Sequence, residues 1–173
     1  MSLETMQDLL IHQLRDIYSA EQMLTKALPK LKDKASTDEL ATAFGEHLAE
    51  TQNQVARLDQ VFELLGERSS GVKCRAMEGL IAEADELLDE DGNEAVIDAG
   101  IIAAAQRVEH YEISAYGSAK AFATLLGRSD IVKLLNESQQ EETAADKKLS
   151  LIATADVNAR AAGTDPSMAA RAM

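Results

Sequence analysis

Cysteine occurs once, at Cys74, so neither an intramolecular disulfide framework nor a cysteine-built zinc site can form. Tryptophan is absent and aromatic residues make up only 3% of the chain. Two prolines (Pro29 and Pro166) and nine glycines in 173 residues leave little turn material for an all-β fold. Positive charge is scarce as well. Seventeen Lys and Arg against thirty Asp and Glu give a formal charge of −13, which excludes direct binding to nucleic-acid phosphates and argues against an anionic membrane surface. No N-terminal stretch has the pattern of a signal peptide, and no apolar run approaches the ~20 residues of a membrane span. The expected location is the cytoplasm. What the chain does have is 46% apolar residues, mainly Leu, Ile, Val, Ala and Met. That is enough for the core of one helical domain.

Apolar positions recur at alternating spacings of three and four, the period of helices packed side by side. Leu10, Leu14, Ile17, Glu21, Leu24, Leu28 and Leu31 form the first stripe, with Pro29 expected to kink its last turns rather than end it. Ser36 and Glu39 read as a capping box for a second helix. Its stripe is Leu40, Phe44, His47, Thr51, Gln54, Leu58, Val61 and Leu65, closed by Gly66. A shorter amphipathic segment spans about 73–90. The next long stripe is Ile101, Ala105, Val108, Glu112, Ala115, Ala119, Phe122 and Leu126, stopped by Gly127. Ser129 then reads as the cap of a final helix with Ile131, Leu135, Ser138, Glu142, Ala145, Leu149 and Ile152 on its stripe. Two short connections and one long one in the middle predict an all-α four-helix bundle with a crossover carrying a short extra helix. This is ferritin-like connectivity. A plain up-and-down bundle with an extra helix at one end is the alternative. The bundle is expected over residues 1–160, with 161–173 a flexible tail.

Acids stand where leucines belong. Glu21, Glu112 and Glu142 each interrupt a core stripe near mid-helix, and Glu109 lies one turn before Glu112. Glu50 sits one step beside the second stripe. Removing a carboxylate from water costs several kcal/mol even after relaxation, and gathering like charges costs more. Two metal ions would neutralise five glutamates, bridged at the ~3.5–4 Å typical of two-metal sites. The spacing of three brings Glu109 and Glu112 onto nearly the same face, about 4.5 Å apart along the axis. Both can then reach such a centre.

The stretches IHQLRDIYSAEQ (11–22), EHLAETQNQ (46–54), AMEGLIAEA (76–84), AAAQRVEHYEISAYG (103–117) and EETAADKKL (141–149) together resemble the YciF-like bacterial stress proteins of the ferritin-like, rubrerythrin-related superfamily. The resemblance covers roughly residues 1–160. It implies metal ligation by Glu21, Glu50, Glu109, Glu112 and Glu142, with two metal ions, iron first and manganese as the alternative. The histidines of the superfamily's E-x-x-H motifs do not carry over: Asn53 and Ala145 occupy those positions. Gln54, Asp146, His47 and Asn53 are candidate replacement ligands or supports, and Tyr18 is a candidate hydrogen-bond partner of the cluster. The implied chemistry is oxidation of the bound metal, or reduction of oxygen or peroxide as a small oxidant, in a ferroxidase- or peroxidase-like protein. The resemblance also implies a homodimer. A stress-associated structural bundle with a stabilising or vestigial metal site is the alternative. An acidic nucleic-acid mimic has no need for acids on apolar stripes.

Overall fold

The computed structural model describes residues 3–164. Four long helices dominate: α1 (Met6–Lys34), α2 (Asp38–Leu65), α4 (Glu94–Leu125) and α5 (Ser129–Ile152). A shorter α3 (Arg75–Leu88) lies between α2 and α4, and a π-helical stretch (Ala153–Val157) leads into a one-turn α6 (Asn158–Ala161). Pro29 lies inside α1, which continues through it to Lys34. The expected tail lies outside the described residues from 165 onward. No helix among the described residues is long and apolar enough to cross a membrane.

Side-chain pairings fix the topology. Arg15 near the start of α1 reaches Glu67 beyond the end of α2 at 2.9 Å, so these two helices are antiparallel. Gln106 pairs with Asp146 and Lys120 with Asn136, which makes α4 and α5 antiparallel. Tyr116 meets Glu21, whereas Asp98 meets Ser36, so α4 also runs against α1. Arg57 binds Glu141 and Arg128 binds Leu64 O, setting α5 against α2. The diagonal pair α2 and α4 must therefore run parallel, and the chain crosses the length of the bundle between them. The α3 helix makes most of that return along α1, with Lys30 on Asp85 at 2.8 Å and Lys34 on Leu88 O at 2.7 Å. The crossover architecture is thus the one observed.

Three local expectations resolve differently at the helix ends. The second helix is capped by Thr37, whose hydroxyl accepts Leu40 N–H at 3.3 Å, not by Ser36. Ser36 instead donates both N–H and O–H to Asp98, at 2.9 and 2.6 Å. Asp98 is fully buried, and a buried carboxylate without donors costs more than a displaced cap. Ser129 is the first residue of α5 and makes no side-chain cap. The left-handed Gly127 (φ 70°) turns the chain so tightly that Ser129 N–H already bonds to Gly127 O at 3.1 Å. The extra helix starts at Arg75, because Cys74 caps it, its sulfur accepting Met77 N–H at 3.4 Å.

Cys74 is wholly buried, and its thiol meets the Tyr111 hydroxyl at 3.0 Å. Burial pushes the thiol pKa up, so little nucleophilic thiolate forms. Iodoacetamide should leave Cys74 unlabelled in the native protein and alkylate it fully in denaturant, as read by intact mass. Rapid native labelling would contradict this packing.

Among the described residues the core has two separate apolar clusters. One gathers Leu24, Leu28, Leu31, Leu40, Phe44, Ile101, Ile102 and Leu149. The other gathers Leu10, Leu14, Ile17, Leu58, Val61, Phe62, Ile131 and Leu135. In every long helix the change from one cluster to the other falls at or within a residue of a buried polar group: Glu21, the run His47–Thr51–Gln54, Glu109 with Glu112, and Ser138 with Glu142. A polar layer thus divides the bundle at mid-height.

Candidate metal centre

Helical periodicity aims the acids inward, and packing closes water out. Glu21, Glu112 and Glu142 are 0% exposed and Glu109 is 1%. One ligand atom from each of His47, Glu109, Glu112 and Glu142 lies within 4.8 Å of all the others. His47 is 5% exposed. Its Nε2 stands 3.2 Å from Glu109 Oε1 and 3.8 Å from Glu142 Oε2, and its Nδ1 stands 3.5 Å from Glu50 Oε2. None of these approaches completes a hydrogen bond.

Tyr116, fully buried, donates to Glu21 Oε1 at 2.5 Å. Gln54 donates through Nε2 to Glu142 Oε1 and, at 3.1 Å, to Glu141 Oε2. Behind them Arg57 holds Glu141 with two parallel bonds of 2.9 and 2.8 Å and Ser138 Oγ with one of 2.7 Å. This chain fixes the Glu142 carboxylate from the side away from His47, as outer groups commonly orient ligands.

The remaining polar atoms have no partner. Among the described residues, every buried side-chain nitrogen or oxygen without a hydrogen bond belongs to this layer, His12 Nδ1 apart: Glu21 Oε2, both His47 nitrogens, Gln54 Oε1, Glu109 Oε2, both Glu112 oxygens and Glu142 Oε2. Native interiors rarely leave such groups unsatisfied. Their concentration at one place, mostly as carboxylate oxygens, fits the hard-oxygen and imidazole preference of iron or manganese.

Without a cation the layer neutralises itself with protons. Burial drives the Glu21 pKa up to about 8, against the pull of the Tyr116 hydrogen bond. Burial and then neighbouring negative charge raise Glu112 well above the carboxylate range. Glu142 is raised by burial and by Glu109. For His47, burial favours the neutral ring, but the charge of Glu109 outweighs it and raises the pKa well above 6.5. Glu109 is correspondingly lowered, since His47 overcomes its own burial. An imidazolium–carboxylate pair and protonated acids thus occupy a space whose donor set also suits metal.

The structure distributes the expected site residues unevenly. Glu21, Glu109, Glu112, Glu142, His47 and Gln54 come together in the layer. Glu50 is half-exposed, its side chain 41% accessible, and touches the layer only through His47. Asn53 is exposed. Asp146 turns to Gln106 at 2.9 Å and His110 at 3.5 Å. Tyr18 packs edge-on against Phe62, with ring centroids 5.9 Å apart. The tyrosine on the cluster is Tyr116, four residues after Glu112. The stripe runs through Ala119 as expected, but on either side of it Tyr116 and Ala123 are buried in place of Ala115, Phe122 and Leu126. Spacing of four from Glu112 was the available signal.

A family model described as a domain of unknown function, DUF892, matches residues 5–162. Protein YciF of Escherichia coli (strain K12) is 46% identical over 162 residues, which span 93% of this chain and 98% of that protein. The crystal structure of the E. coli stress protein YciF aligns with a TM-score of 0.86 at 47% identity, covering 90% of this chain and 98% of the other. YcfI of Rhodopseudomonas palustris, provisionally described as a structural protein, aligns at 0.84 with 52% identity over 86% and 95% of the two chains. A Xanthomonas campestris protein at 20% identity and a TM-score of 0.71 shares the fold. With the family match spanning nearly the whole helical bundle, the chain belongs to the DUF892 family, that of the stress protein YciF.

Proposed function

We propose that this protein is a di-metal carboxylate protein, holding iron or manganese, that oxidises the bound metal or reduces peroxide or oxygen during stress. The observation that carries the reading is the convergence of unpartnered carboxylate oxygens and imidazole nitrogens in one buried layer. Glu21, Glu109, Glu112, Glu142 and His47 would hold the ions, with Gln54 at the margin supporting Glu142. When bound, two such ions supply the two electrons that, with two protons, convert one peroxide to two waters.

The chain's own residues do the rest. Tyr116 keeps Glu21 oriented, and the Arg57–Glu141–Gln54 series does the same for Glu142. The apolar clusters above and below exclude bulk water, which strengthens every charge interaction in the layer. His47, placed between Glu50 and Glu109, can carry a proton between the half-exposed acid and the buried one.

A second reading is a structural stress protein in which metal only stabilises the bundle. It is favoured by Asn53 and Ala145 at positions where imidazoles would tune oxygen chemistry, and by the structural role suggested for the R. palustris relative. Protein purified without chelator should contain, or take up anaerobically, about two ferrous or manganous ions per chain by elemental analysis. Exposure of the ferrous form to oxygen or peroxide should then change its near-ultraviolet spectrum. No metal and no uptake would remove both the enzymatic and the metal-stabilised reading. Uptake with no spectral change would leave the structural one.

A further inference from the structure

A cleft of about 90 Å³ opens between α2 and α5 directly onto the polar layer, with His47, Glu109, Glu50, Phe44, Ala145 and Lys148 among its walls. Two buried polar groups line it, His47 and Glu109, and both carry buried atoms with no hydrogen-bond partner: His47 Nδ1 and Nε2 and Glu109 Oε2. Its outer part carries Glu50, 41% exposed, and Glu46, which is ion-paired with Lys148. Ala145 is where the chain lacks an imidazole, and with Ala144 it presents only methyl groups to the cleft. The volume exceeds what a single water needs, so a cation could enter with part of its hydration shell.

From this geometry we propose that the α2–α5 cleft is the portal through which divalent cations reach the buried centre. In this portal Glu50 is a transit ligand that captures the ion and passes it to His47 and Glu109, and Lys148 restrains uptake by holding Glu46. The proposal rests on the di-metal reading above. Three features support it. Glu50 is the one candidate ligand that is both solvent-accessible and in contact with the layer, 3.5 Å from His47 Nδ1. The cleft walls hold three carboxylates, Glu46, Glu50 and Glu109, against one lysine and one histidine, a balance that attracts cations and repels anionic chelates. The chain's charge of −13 draws cations toward the surface in general, and an acidic cleft between apolar walls focuses that field. A permanent ligand would be expected inside the dry layer with Glu112 and Glu142, whereas a transit group must face both water and site.

The test is stopped-flow uptake of Mn²⁺ or Co²⁺ by the metal-free full chain, with final stoichiometry measured separately. Glu50→Gln should slow uptake about tenfold, within the range of electrostatic steering effects, while the final stoichiometry stays that of the wild type. Lys148→Ala should speed uptake. Ala145→Leu, which fills the cleft, should slow it without lowering stoichiometry. Asp59→Asn, an equal charge change on the exposed side of α2, should leave the rate unchanged. Should Ala145→Leu not fold, the opposed effects of the Glu50 and Lys148 variants carry the test alone. Wild-type rates in Glu50→Gln would overturn the portal, and so would lost stoichiometry, which would make Glu50 a permanent ligand. A wild type that binds no metal would instead overturn the di-metal reading itself.

Discussion

Glu112→Leu is expected to make the metal-free protein more stable and to abolish its response to metal. Glu112 is fully buried with neither oxygen hydrogen-bonded, and three neighbouring acids push against its ionisation. A leucine of similar volume removes that desolvated group and joins the apolar clusters on either side. Replacing buried ionic groups by packed hydrophobes has stabilised proteins by about 1–4 kcal/mol. At this chain length each kcal/mol corresponds to roughly 2–4 °C in Tm. In the wild type, metal should raise Tm with concentration as ligand linkage requires, whereas in the variant that rise should vanish with the stoichiometry. Calorimetry of both proteins, with and without Mn²⁺, reads both effects. A variant less stable than wild type when both are metal-free would show that Glu112 serves packing, and the explanation of the layer as a cation site would lose its energetic basis.

The second large effect is that of pH on the metal-free protein. Glu21 titrates near 4.5 in the unfolded chain but at about 8 in the fold. Between those values the folded state therefore holds a proton that the unfolded state has lost. Stability must fall as pH rises across that window, by about 1.4 kcal/mol per pH unit for each such acid. Glu112 and Glu142 are raised in the same sense. His47 adds to the trend, since its folded pKa lies above 6.5 and its paired form is lost as pH rises through that value. Glu109, lowered by the same pair, opposes it only below about 4.5, where acid protonates the carboxylate. The metal-free protein should thus be most stable in mildly acidic solution and lose Tm steadily toward pH 8.

Metal replaces those protons. Loading at pH 7 should release at least one proton per chain, measurable with a dye in weak buffer, and the yield should shrink above pH 8 as the acids ionise unaided. A Tm that rises from pH 5 to 8 without metal would mean that the acids are charged and paired in a way this layer does not provide.

The relation of sequence to structure differs between the scaffold and the site. Helix positions were legible because each stripe repeats over many turns, so an error at one residue is corrected by the next. The crossover was legible from link lengths, since a long middle connection can return the chain to the starting end of the bundle. The glycine stop at Gly66 was legible too, but the N-terminal caps were not, because such a cap depends on one or two bonds. A buried acid from another helix, such as Asp98, can take a serine that local pattern assigns to the helix start. The site lies between these cases. Carboxylates on apolar stripes announced themselves through their cost, and His47 and Gln54 by standing on the second stripe, but Tyr116, Arg57 and Glu141, which hold them in place, did not.

The sequence by itself determined four long amphipathic helices, their crossover connectivity, and the inward aim of Glu21, Glu109, Glu112 and Glu142. Those features follow from the 3.6-residue repeat and the free energy of burial, which act within each helix. Only the tertiary structure decided that His47 faces Glu109 and Glu142, that Tyr116 rather than Tyr18 holds Glu21, and that Glu50 is half-exposed beside a cleft while Asp146 turns away. Periodicity fixes which face of a helix is apolar. The rotation and depth that bring one side chain within 3–4 Å of another are set only when all four helices pack together.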